Sequence, residues 1–160
     1  MILKEFELSL LPLIEAGDNS QDQFYYHGDT SPKNTFFPSD GDPEAILLDL
    51  EQAGATNNRV LAMVTDFGDY YNRSWSNKSM QQEFIKTIFE GLEKENNDFA
   101  YQVTKAAVIA GTIHGSFLYV DETHKMHSKA ANLINNLEEN LVFLDTIYSE
   151  GRQVGKSQLL

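Results

Sequence analysis

The stretch DFAYQVTKAAVIAGTIHGSFLYV, residues 98–120, decides the fold. Val103, Ala106, Ala107, Ile109, Ala110, Ile113, Phe117 and Leu118 leave little room for a polar face. A helix that is apolar nearly all round belongs in the middle of a bundle. Ala107, Gly111 and Gly115 stand four residues apart, so a neighbouring backbone is expected to come close along that line. The longest apolar part, Ala106 to Val120, is interrupted by Gly111, Thr112, His114, Gly115 and Ser116. It falls short of the roughly 20 residues needed to cross a bilayer.

C-terminal to this segment, Ala130, Ile134, Leu137, Leu141, Leu144 and Tyr148 follow one another at steps of 4, 3, 4, 3 and 4. That spacing is a bundle seam and predicts a helix from Ser128 to Tyr148. Gly151 is expected to end it, leaving residues 151–160 as a flexible tail behind a single domain of residues 1–150.

Three helices are expected on the N-terminal side. Ser79 can cap one, with Gln82 in the capping-box position and Met80, Phe84, Ile88 and Leu92 as its stripe. A second runs from Asn58 to Tyr71 and brings Val60, Val64, Phe67 and Tyr71 to one side. A third, Ala45 to Ala53, would start at the N-cap Asp42 with Pro43 in its first turn and stop at Gly54. Residues 2–16 read as a helix kinked or restarted at Pro12. Residues 17–43, rich in Asp, Asn, Ser, Gly and Pro, read as a long connection. The expected fold is therefore all-α, an irregular helical bundle of about five to six helices with a long acidic, aromatic-containing connection near the N-terminus.

A chain of 160 residues is long enough for one self-sufficient core. The absence of cysteine removes disulfides and thiolate metal sites, and favours a cytoplasmic setting. Glu5 and Glu7 interrupt what would be the apolar core of a signal peptide.

Charge is the most informative part of the composition. There are 24 acids against 12 bases, net -12, and residues 1–50 hold ten of the acids and two of the bases. A field of this sign repels nucleic acid and anionic membrane and attracts basic proteins.

Candidates for chemistry are sparse. Asp121, Glu122, His124 and His127 lie at the junction of two expected helices, where metal ligation competes with ordinary capping. His114 sits within the apolar helix beside Thr112 and Ser116, with no nucleophile identifiable near it. The Asp18–Asp22 and Asp40–Glu44 runs suit calcium by ligand type but not by EF-hand spacing. Glu90 and Glu93 can share a helix face, whereas Glu138 and Glu139 point apart, and no glycine-rich phosphate loop is present. Neither a cofactor nor an enzymatic activity is expected.

What remains is the segment from Glu15 to Glu51, with nine acids against Lys33 alone and with Phe24, Tyr25, Tyr26, Phe36 and Phe37 among them. Clustered carboxylates repel one another, and a basic partner would relieve that repulsion while exposed rings anchor the complex. The expected partner-binding residues are Asp18, Asp22, Tyr25, Tyr26, Asp29, Asp40, Asp42 and Glu44. A second acidic and aromatic patch adds Asp66, Asp69 and Tyr70. These features predict an immunity-type inhibitor that covers the active or substrate-binding site of a basic protein such as a toxin nuclease. Two alternatives are a helical adaptor that oligomerises through the last seam, and an enzyme centred on His114 or on the Asp121–His127 cluster.

Overall fold

The computed structural model describes residues 4, 8, 11–15, 21–31, 33–36, 46–73, 77–120 and 124–157, with side chains omitted at 14, 119, 120, 124–127 and 152–157. Asp18, Phe37, Asp40, Asp42, Glu44, Asp121 and Glu122 lie outside the described residues, as do the side chains of His124 and His127. The chain is an all-α bundle with a small extended layer near its start. In order, the elements are α1 (Leu11–Glu15), β1 (Phe24–Tyr26), β2 (Thr35–Phe36), β3 (Ile46–Leu47), a 3-10 turn (Leu50–Gln52), β4 (Gly54–Thr56), α2 (Arg59–Arg73), α3 (Lys78–Glu93), α4 (Asn97–Val120) and α5 (His124–Ser157).

Helix α4 is the axis, as its composition requires, and α2, α3 and α5 all pack against it. Ala100, Val103, Ala106, Ala107, Val108 and Ile109 are buried along it. Its last turns differ from the expectation: Phe117 is 74% and Leu118 43% exposed, because the apolar run outlasts the neighbours that could cover it. The close approach predicted along its glycines occurs against α2. A Cβ on Gly111 would overlap the carbonyl oxygen of Gly68 and stand 3.0 Å from Tyr71 Cδ1.

Helix α2 buries Val60, Val64 and Tyr71 as its spacing predicts, and the Asn58 side chain caps it by accepting from the Leu61 amide at 3.0 Å. Helix α3 differs in two ways. Its N-cap is Asn77, whose side chain accepts from the Ser79 amide at 2.8 Å, rather than Ser79. Its buried face is Gln81, Ile85, Phe89 and Leu92, with Met80 54% exposed. The face is rotated by one residue from the expected line, so that Gln81, Ile85 and Phe89 point inward and Phe84 and Ile88 pack at its margin.

Helix α5 buries Ala130, Leu133, Leu137, Asn140 and Leu144, while Ile134 is 44% exposed. The seam predicted from Ala130 is present but shifts onto Leu133 and Asn140. Gly151 does not end the helix, which continues to Ser157. An isolated helical glycine costs only about 1 kcal/mol, which a long helix absorbs.

The polar members of these buried faces meet. Asn140 Nδ2 donates to Tyr71 Oη and to Gln81 Oε1, each at 2.8 Å, and Asn136 Nδ2 donates to Gln81 Oε1 at 3.1 Å. Tyr71, Gln81 and Asn140 are all fully enclosed, and burial pushes the Tyr71 phenol up to about 12. This network joins α2, α3 and α5 inside the core. At the surface, Lys78 pairs with Glu139 across α3 and α5.

The largest departure lies before α2. The helix expected over Ala45–Ala53 is replaced, over its described residues, by β3 and the 3-10 turn, and β4 begins directly after it at Gly54. Strand β1 pairs antiparallel with β4, Tyr25 opposite Ala55, and β2 pairs with β3, Phe36 opposite Ile46. The long connection is thus folded into two short ladders, the first of which rests on α2. Among the described residues no helix is long and apolar enough to cross a membrane.

Candidate partner-binding surface

The ladders are held in place by polar side chains whose partners are distant in sequence. The Asp66 carboxylate on α2 accepts from the His27 amide at 2.9 and 3.0 Å and from the Gly28 amide at 3.0 Å. The Asp66 carbonyl accepts from Thr30 Oγ1 at 2.7 Å. Gly28 has φ of 77°, and a Cβ there would meet the Gln52 carbonyl oxygen at 2.5 Å, so both backbone and space demand glycine. The His27 ring is 3% exposed; the Asp29 amide donates to Nδ1, so Nε2 carries the proton and donates to the Leu48 carbonyl at 2.7 Å. The Leu48 amide in turn donates to the Asn34 carbonyl, which ties the second ladder to the same turn.

These bonds sort the expected binding residues. Tyr25 is 76% exposed, and Asp22 is exposed two residues before β1. Tyr26 is half-buried, with its ring against Gly54. Asp29 is paired with Arg73 at 2.6 Å, and Asp66 is taken up by the turn. Asp69 is 4% exposed, and Tyr70 is stacked on Phe84 with centroids 5.3 Å apart. Of the second patch, Asp69 is buried and Tyr70 is stacked on Phe84, whereas Asp66 is half-buried, and Asp29 is held by Arg73 at the surface.

Beside Phe36, which the sequence reading placed in the connection, the surface gains residues that it placed in a helix. Phe36, Ile46, Leu47, Leu48 and Leu50 are 46% to 61% exposed and form an apolar ribbon along β2, β3 and the 3-10 turn. Asp49 and Glu51 are exposed within it, and Asp49 adopts left-handed φ of 62°. The alternation Leu48-Asp49-Leu50-Glu51 does not mark a strand, since Asp49 is left-handed, Leu50–Gln52 form the 3-10 turn and all four side chains are exposed.

An open groove of about 460 Å³ lies between β1 and α2, lined by Gln23, Phe24, Tyr25, Arg59, Ala62, Met63, Asp66 and Phe67. Arg59 leans away from it. Its guanidinium pairs with Glu95 at 2.7 Å and lies 5.6 Å from the centre of the Phe99 ring, in an adjoining depression.

A separate polar cluster joins α2 to α4. Asn72 Nδ2 donates to Asp69 Oδ1 at 2.9 Å and faces His114 Nδ1 at 3.3 Å, while Arg73 stands 3.7 Å from the same carboxylate. His114 Nδ1 also stands 3.6 Å from Asp69 Oδ1, so this nitrogen faces both Asn72 and the carboxylate. Burial pushes the Asp69 carboxyl above the usual range, against the opposing pull of Arg73 and Asn72, and its Oδ2 has no hydrogen-bond partner among the described residues.

A carboxyl whose folded value is raised favours the folded state when protonated, and that advantage disappears as pH rises through the raised value. Asp69→Asn is accordingly expected to melt at a higher temperature than the parent at pH 7, with the difference vanishing near pH 3. Parallel melts across that range by circular dichroism check this.

No protein-family model, curated protein or solved structure matches the chain. Among the described residues no group of three or more His, Asp or Glu is placed to hold a metal ion. Of the carboxylate pairs considered for phosphate chemistry, Glu139 is paired with Lys78, and Glu90 lies 3.8 Å from Lys86.

Proposed function

We propose that this chain is an acidic, protein-binding inhibitor of the immunity type, which neutralises a basic partner such as a toxin nuclease by covering its active or substrate-binding site. The observation that carries the reading is the exposed ribbon of Phe36, Ile46, Leu47, Leu48 and Leu50, set within the most acidic third of the chain. Large apolar side chains clustered at a surface mark interaction sites, and their carboxylate surroundings select cationic partners. The alternative of assembly through an exposed part of the last seam has less surface to draw on, since Ala130, Leu137 and Leu144 are buried within the protomer and Ile134 is 44% exposed.

Two variants of the full chain test the proposal as baits in the native host. Asp22→Asn with Asp49→Asn and Glu51→Gln reduces charge, and Phe36→Ser with Leu48→Ser and Leu50→Ser removes apolar anchors. All six positions are exposed, so both variants are expected to fold. The expected result is a basic partner whose capture weakens with salt. The charge variant should slow association about ten-fold, and the apolar variant should mainly speed dissociation. An acidic partner, or equal capture by both variants and the parent, would overturn the proposal.

A further inference from the structure

The geometry points to the groove between β1 and α2 as the seat of an arginine side chain contributed by the basic partner. This rests on the reading above and names the anchor residue it requires. The groove has the three features that a guanidinium on an aliphatic stem needs. Phe24, Ala62, Met63 and Phe67 supply apolar walls for the methylenes. Tyr25, 76% exposed at the rim, offers a ring on which a planar cation stacks. Asp66 lines the groove with a carboxylate.

That carboxylate already accepts from the His27 and Gly28 amides. Two carboxylate oxygens have about four lone-pair sites, so Asp66 keeps acceptor capacity for a further donor. Its two amide bonds also hold it in place, which spares an incoming guanidinium the cost of ordering it. Arg59, the cation that also lines the groove, is paired with Glu95 at 2.7 Å and lies over the Phe99 ring. The volume, about 460 Å³, lies within the range of side-chain and small-ligand pockets. Arginine is also among the residues that most often dominate binding at protein interfaces.

The test is a titration of the isotopically labelled full chain with acetyl-arginine methylamide, followed by backbone amide shifts, with the lysine and leucine derivatives as comparisons. Saturable shifts at Tyr25, Met63 and Asp66 are expected with the arginine derivative at millimolar concentration, and weaker ones with lysine. Tyr25→Ala should reduce the affinity about five-fold, whereas Tyr25→Phe, which keeps the ring, should retain it.

The inference is overturned if leucine or lysine binds as tightly as arginine, if the shifts fall outside the groove, or if Tyr25→Ala binds unchanged. Those outcomes leave the capture experiment untouched, because the ribbon and charge variants do not alter the groove. Loss of salt-sensitive capture with intact arginine binding would instead separate the groove from the proposed function.

Discussion

Gly111→Ala is expected to lose about 2–3 kcal/mol of stability and to melt about 5–10 °C lower than the parent. Alanine is the better helix former by about 1 kcal/mol, so propensity alone forecasts the opposite sign. Packing decides the outcome. The added methyl would overlap the Gly68 carbonyl oxygen, a backbone atom that moves only if α2 separates from α4. Gly91→Ala provides the control, because nothing lies within 4 Å of a Cβ at that position on α3. There propensity acts unopposed, and a gain of about 0.8 kcal/mol is expected. Guanidinium unfolding of the two variants beside the parent measures both values, and equal shifts of the same sign would refute the tight crossing.

The second large effect is expected at Asn140. Asn140→Ala removes two donated hydrogen bonds inside the core and leaves a cavity, for a loss of about 3 kcal/mol. Much of that loss arises from acceptors left without a donor, so it should shrink when the acceptor is removed as well. Gln81→Leu combined with Asn140→Leu is therefore expected to cost at least 1 kcal/mol less than the sum of the two single changes. A double-mutant cycle by urea denaturation checks this. Strict additivity would mean that the bonds between α3 and α5 contribute nothing as a unit.

The same network shows where the sequence was legible and where it was not. The apolar content of residues 98–120 was enough to place α4 at the centre, and four-residue glycine spacing was enough to forecast the backbone crossing that Gly68 and Gly111 make. Both are local properties of one helix. The buried positions of Gln81 and Asn140 were not legible, because a polar residue reads as surface unless its partner is known. Their partners lie 59 residues apart. Ignoring them moved the expected face of α3 onto Met80 and that of α5 onto Ile134.

The acidic segment followed the same rule. Its composition flagged a surface rich in carboxylates and rings, and Tyr25 stands where such a surface needs it. Composition did not separate Asp69, which is buried against Asn72, and Asp66, which is half-buried at the groove and bonded to the turn, from Asp22, which is exposed. That separation depends on contacts with residues some 40 positions away, among them His27 and Gly28. The ribbon was missed for a different reason. Pro43 and Gly54 bracket residues 45–53 as helix punctuation would, and a two-residue strand followed by a single 3-10 turn is too short to leave a period of its own.

One carboxylate, Asp66, fastens the turn at His27 and Gly28 to α2, and the turn carries β3 through His27 and Leu48. Foundation and façade thus meet at a few polar fixings, while the large aliphatic residues of the façade take no part in holding up the building. Replacement of Phe36, Ile46, Leu47, Leu48 or Leu50 is expected to leave the cost of folding nearly untouched, so under the proposed reading a change of partner at this surface requires no change in the scaffold beneath.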